Sequence, residues 1–167
     1  MMPDTGFWVP NGKQGRIAQP LAVDPDTGQP NRVIDVTAAP KYESGGAVST
    51  AMDYARFSQM LLNRGRLDGV RLLGRKTVEL MTADHLGRID GPTPGYGFGL
   101  GFAVHREAGV SGSPGTVGEY LWSGLAGTAF WIDPKEELIG VWMMQATNQR
   151  IHYRQLFKTL VLRAIVD

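Results

Sequence analysis

Gly118-Glu-Tyr-Leu-Trp-Ser-Gly-Leu-Ala-Gly-Thr-Ala-Phe-Trp131 is the stretch that decides the fold. A strand-like run ends at Ser123-Gly124, a tight turn follows, and a second apolar run opens at Thr128. The pattern predicts a strand over Val117–Trp122, antiparallel to one over Thr128–Ile132. Asp133-Pro-Lys-Glu, with Pro at the second turn position, then leads to a third strand over Leu138–Gln145. Where the first strand ends, a hydroxyl and several backbone amides lie on the rim of the sheet. Amides on such a rim can stabilise the developing oxyanion of acyl transfer. A nucleophile would then be needed beside them.

Beyond the third strand, Leu156, Phe157, Leu160, Val161, Ala164 and Ile165 recur at helical spacing within Tyr153–Val166. They predict an amphipathic helix packed across the sheet. On the N-terminal side, Gly95-Tyr-Gly-Phe-Gly-Leu-Gly-Phe102 alternates glycine with large apolar residues, giving a strand with one smooth face that another backbone can approach. No helix opens after these glycines, so they are not a nucleotide-binding fingerprint. Further upstream, Thr50 and Asp53 form a variant capping box. Tyr54, Phe57 and Leu61 mark the helix it starts, and Gly65 ends it. Leu67-Asp-Gly-Val70 predicts a type I′ turn between two short extended pieces, and a second helix is expected over Lys76–Ala83.

Residues 1–47 are rich in Pro, Gly and Asp. Leu21–Val23 and Val33–Val36 flank Asp24-Pro-Asp-Thr-Gly-Gln-Pro30 and predict a small hairpin closed by a long turn. The organisation is therefore a loop-rich segment, 1–47, running into 48–167, which holds helices, a three-stranded antiparallel meander and a C-terminal helix. Both belong to one α+β domain.

A length of 167 residues suits a single domain, and a net charge of +1 gives no electrostatic footprint for nucleic acid or a polybasic membrane contact. The longest apolar runs are too short to span a bilayer. No basic stretch followed by an apolar one marks a leader at Met1. The absence of cysteine removes disulfides, thiolate chemistry and cysteine metal sites, and leaves the compartment open.

No serine has a lysine three positions later, and Gly109-Val-Ser111-Gly-Ser113 misses the nucleophile-elbow pattern at its last position. Ser123 lacks a triad-like base, which a serine nucleophile requires; it reads as a hydrogen-bonding rim residue. His85, His105 and His152 lack metal-ligand spacing and read as surface or packing residues. Neither a metal nor a cofactor is expected. Asp24 and Asp26 read as turn residues, and Glu136-Glu137 as solvated. Of Trp8, Trp122, Trp131 and Trp142, only Trp122, beside Ser-Gly at a strand end, is a candidate for substrate contact; strand aromatics otherwise fill cores.

Four ordered stretches carry a resemblance that covers essentially the whole chain: Asp4-Thr-Gly-Phe7, Ser44-Gly-Gly-Ala-Val-Ser-Thr-Ala-Met-Asp-Tyr-Ala-Arg-Phe57, Tyr96-Gly-Phe-Gly-Leu-Gly-Phe102 and Trp122-Ser-Gly124 to Asp133-Pro134. Together they resemble the C-terminal part of the serine β-lactamase and penicillin-binding-protein-like family, in particular its class C-related esterase branch. The resemblance implies an incomplete β-lactamase or DD-peptidase-like (transpeptidase-like) fold. It implies a site built from Ser-x-x-Lys, a Tyr-x-Asn-like motif and a third motif of the Lys-Thr-Gly type.

Trp122-Ser123-Gly124 looks like the third motif. By that likeness Ser123 contacts polar groups of the substrate, Gly124 lets the substrate lie against the strand, and the Leu125 amide is one of two oxyanion donors. Trp in place of Lys favours esters. Tyr42-Glu-Ser44 resembles Tyr-x-Asn superficially but falls at the glycine turn, after the place of the family's tyrosine. The first two motifs are expected upstream of Met1. So are strands that would pair with Leu138–Gln145, whose edge is otherwise unprotected. The resemblance thus implies a serine hydrolase of esters, amides or lactams, represented by a part that is close to inactive alone. The competing expectation is a non-catalytic binding module, or one that complements a separate N-terminal chain.

Overall fold

A computed structural model of the chain describes residues 1–39 and 46–166. Tyr42-Glu-Ser44 lies outside the described residues. After a 3-10 helix over Asn11–Arg16, the elements run α1 (Ala51–Leu62), β1 (Arg66–Leu67), β2 (Val70–Arg71), α2 (Arg75–Met81), β3 (Tyr96–Phe98), β4 (Ala103–His105), β5 (Tyr120–Ser123), β6 (Ala129–Asp133), β7 (Leu138–Trp142) and α3 (Arg150–Leu162). The expected meander is β5-β6-β7, and it continues two strands further, giving a five-stranded antiparallel sheet in the order β3-β4-β5-β6-β7.

The extra strands come from the glycine-alternating stretch. It does not run on as one strand: pairing breaks after Phe98 and resumes at Ala103, with Phe98 opposite Ala103. The smooth face is used as the sequence suggests. A side chain at 97 would meet the Asp84 carboxylate at 2.0 Å, and one at 99 would meet the Met81 carbonyl oxygen at 2.2 Å.

Strand alternation divides the sheet into two faces. Phe102, Val104, Tyr120, Phe130 and Ile132 pack with Met60 and Leu61 of α1 and Val78 of α2 to form the core. Thr50 starts α1 by accepting the Asp53 N–H at 3.2 Å. The Asp53 carboxylate does not return to the cap: it accepts from the Asp4 N–H at 2.7 Å and the Thr5 hydroxyl at 3.1 Å, pinning the N-terminal segment to the helix. Asp68 and Gly69 both have positive φ, 50° and 78°, as a type I′ turn demands.

The opposite face carries α3. Phe157 stacks near Trp131 and Trp142, with ring centroids 5.6 and 4.7 Å away, and the Trp131 ring fills the space above Gly140. The helix begins three residues earlier than its apolar pattern suggests, and its buried side differs. Leu156 and Leu160 are 43% and 56% exposed, while Lys158 is buried. The physical reason lies beneath the helix, where the sheet offers indoles, a phenol and a carboxylate in place of an aliphatic floor.

The N-terminal hairpin is tighter than expected. Val23 bridges Pro30, whereas the second apolar stretch turns away, its Val36 carbonyl accepting the Val9 N–H at 2.7 Å. At the far end of the sheet, no strand among the described residues pairs with the outer edge of β7. No helix among the described residues is long and apolar enough to cross a membrane.

Candidate active site

Ser123 is the last residue of β5 and pairs with Ala129 across the hairpin. The strand ends there because the chain folds into a tight loop: the Gly124 N–H donates to Thr128 O at 2.8 Å and the Gly127 N–H to Gly124 O at 3.2 Å. Gly127 has φ 111°, and a side chain there would also strike Met144. At 124 a side chain would meet the Thr128 hydroxyl at 2.3 Å, a reason for glycine internal to the loop.

Leu125 caps this loop, 48% exposed. Its N–H donates no hydrogen bond to an acceptor among the described residues, and its carbonyl accepts from Arg150 Nη1 at 3.4 Å. Trp122 is 42% exposed, against 2% for Trp131, and meets the Phe98 ring edge-on at 5.1 Å. A cavity of about 280 Å³ opens between the loop and α3, lined by Ser123, Gly124, Leu125, Arg150, Ile151 and Arg154. The four residues singled out from the sequence thus lie together on one strand end and its loop, three of them lining this cavity.

The first turn of α3 is anchored by the hairpin. Asp24 is 1% exposed; its Oδ1 accepts from the Asp26 and Thr27 N–H groups, both at 3.0 Å, and from Gln149 Nε2 at 3.3 Å. Burial pushes its carboxyl pKa up, but these hydrogen bonds outweigh it and hold the group below the usual value. The Tyr153 hydroxyl donates to Asp26 at 3.4 Å. Asp24 and Asp26 are turn residues as expected, and they also tie the hairpin to the helix that carries Arg150.

A buried polar cluster lies behind the rim, and apolar patterning missed it. Glu119 is fully buried. Its Oε1 accepts from the Lys158 ammonium and from the Tyr96 hydroxyl, the latter at 2.6 Å. Lys158 also reaches the Tyr96 oxygen at 3.3 Å. His105 stacks on Tyr96 at 4.7 Å, with its two ring nitrogens near the Thr116 and Glu107 carbonyls at 3.2 and 3.1 Å. Burial, reinforced by Glu119, raises the Tyr96 phenol far above its ordinary range. A side chain at 115 would meet Glu119 Oε1 at 2.6 Å, so only glycine leaves room for the carboxylate. The legible signal was the i, i+4, i+8 spacing of Arg150, Arg154 and Lys158, which puts three cations along one side of α3.

His85 does not face Asp84: its ring contacts Leu80 O at 2.7 Å at the end of α2, and Asp84 accepts from the Leu86 and Phe98 N–H groups. Glu136 and Glu137 are exposed in the β6–β7 turn. No group of three or more His, Asp or Glu that could hold a metal occurs among the described residues.

A mixed fold with an antiparallel sheet, a strand ending in Ser-Gly and a C-terminal helix beside it is shared with solved structures of the penicillin-binding-protein-like class. The sequence matches the Beta-lactamase family over residues 1–160, and the chain belongs to that family. Protein Rv1367c of Mycobacterium tuberculosis is 35% identical over 159 residues, covering 86% of this chain and 40% of that protein. The chain therefore spans about two fifths of the length of this curated relative.

Among solved structures, EstCE1, a hydrolase with promiscuous acyltransferase activity, superposes with a TM-score of 0.77 at 22% identity, over 95% of this chain and 45% of that one. Simvastatin synthase (LovD) of Aspergillus terreus superposes with a TM-score of 0.71 at 19% identity, over 98% and 47%. At these identities the superpositions establish the fold.

Proposed function

We propose that this chain supplies the third-motif wall and one oxyanion donor to a serine hydrolase that opens small esters, and more broadly amides or lactams, through an acyl-enzyme. The supporting observation is the Leu125 N–H: it has no acceptor among the described residues and lies just past the strand end, on a cavity that Ser123 also lines. A carbonyl oxygen polarised by that amide and by the nucleophile's own N–H would gain negative charge as the nucleophile attacks. Ser123 would hydrogen-bond the substrate, and Gly124 would keep the strand edge open to it. Trp122, where a lysine would favour lactams, turns the preference towards esters.

The nucleophile belongs to a Ser-x-x-Lys that these 167 residues do not contain. With a chromogenic short-chain ester the purified chain is expected to show no turnover above buffer. Turnover that disappears in Ser123→Ala would place the nucleophile in this chain and overturn the proposal.

A second reading has its own support. The outer edge of β7, with which no strand among the described residues pairs, and the exposed Leu156 and Leu160 of α3 suit a module that complements a separate N-terminal chain. Sedimentation separates the two readings: this one expects a folded, soluble chain that shifts to a heterodimer when the upstream part of the parent protein is added. Aggregation of the chain alone, with no complex formed, counts against it.

A further inference from the structure

We propose that Glu119 and Lys158 are positioning residues for the Ser123–Leu125 rim, fixing the rotation and axial register of α3 so that Arg154 and Arg150 are held against it. The inference rests on that rim being the functional edge of the sheet. It adds that the edge is set by an ion pair outside the cavity at Gly124 and Leu125, Lys158 reaching only the neighbouring cavity that Trp122 and Ser123 line.

Lys158 lies one helical turn beyond Arg154 and two beyond Arg150, so all three project from one side of α3. Glu119 directly precedes β5, the strand whose other end is Ser123. The pair therefore ties the start of that strand to the C-terminal half of the helix, while Arg154 and Arg150 reach the cavity at the strand's far end.

Asp24 and Asp26 of the hairpin hold the first turn of α3 through Gln149 and Tyr153 at 3.3 to 3.4 Å, so the ion pair sets the helix together with them. Phe157 against Trp131 and Trp142 is an apolar contact that tolerates some sliding. A slip of α3 by one residue would carry every side chain about 1.5 Å along and about 100° around the axis. The phenylalanine could repack after such a slip. The ammonium would leave a buried carboxylate whose Oε2 already has no partner among the described residues.

Tyr96 and Gly115 hold the carboxylate itself. The phenol donates to Oε1, and the missing side chain at 115 gives the group its place. Arg154 behaves as a residue pressed against the sheet: burial, and then the charge of Arg150, lower its guanidinium pKa. No carboxylate pairs with Arg150 or Arg154 among the described residues, so their placement depends on how the helix is held.

The test follows the Arg154 side-chain Nε–Hε and the Ser123, Gly124 and Leu125 amides by NMR in the 167-residue chain. The variants are Glu119→Gln, Lys158→Met, the apolar pair Glu119→Leu/Lys158→Met, and Lys158→Arg. Each single loss is expected to lower the melting temperature by about 10 °C. The apolar pair is expected to recover most of that loss while the Arg154 and 123–125 resonances stay displaced, and Lys158→Arg to keep both near wild type.

Wild-type resonances for Arg154 and 123–125 in a stable apolar pair would make the ion pair a stability element only and overturn the proposal. Failure of the apolar pair to fold would also count against it, since positioning presupposes a fold that survives without the charges. None of these readouts requires ester turnover, so an inactive rim and an uncoupled helix give different results.

Discussion

Ser123 and Trp131 show how far single residues could be read. Strand alternation placed Trp131 inside and left Trp122 partly exposed beside Ser123, as the sequence suggests. Glycines were harder to interpret, because what excludes a side chain is a neighbour distant in sequence. Gly124 faces the Thr128 hydroxyl, and Gly140 lies under the Trp131 indole. A methyl at 140 would fall 2.2 Å from that rigid, buried ring. Gly140→Ala should therefore destabilise the chain by about 1–3 kcal/mol through overpacking, measured by urea denaturation; an unchanged midpoint would mean that the ring moves freely. Ser123→Ala removes a partly exposed hydroxyl and should leave the same midpoint within about 0.5 kcal/mol.

Elements were legible where apolar periodicity governs them and obscure where polar contacts do. The strand pair around 123–129 and the Asp68-Gly69 turn follow from local chemistry. The face of α3 does not, because Lys158 is buried by a carboxylate 39 residues away along the chain, and an apolar count cannot register that.

The hairpin on α3 makes a pH prediction at this scale. Asp24 has a native pKa below its ordinary value of 3.8. A carboxylate whose folded pKa is depressed contributes stability that is fully present above the unfolded value and lost as pH falls through the folded one. The hairpin should therefore stay docked from neutral pH down to about 4, then release as Asp24 takes up its proton. Hydrogen exchange of the 21–32 segment should show no rise in intrinsic-rate-corrected exchange until that range. In Asp24→Asn the fast exchange should already be present at pH 7. Acid release that is identical in Asp24→Asn would show that another group controls it.

At the scale of the molecule, no strand among the described residues pairs with the outer edge of β7, and one side of α3 still shows leucines. The chain matches only 40% of the length of its mycobacterial relative. The family could be read from four ordered stretches of sequence. Which side chains meet behind the rim could not, since Tyr96, His105, Glu119 and Lys158 come from four separate parts of the chain. The division of labour proposed here, with the rim on this chain and the nucleophile elsewhere in the parent protein, makes one direct demand. Incubated with a fluorophosphonate probe, the chain alone should remain unlabelled. With the upstream part of the parent protein added, label should appear on the upstream partner and fall on the order of 100-fold or more in rate if Leu125 is replaced by proline, which removes the donor. Labelling of the chain alone that is lost in Ser123→Ala would contradict the account.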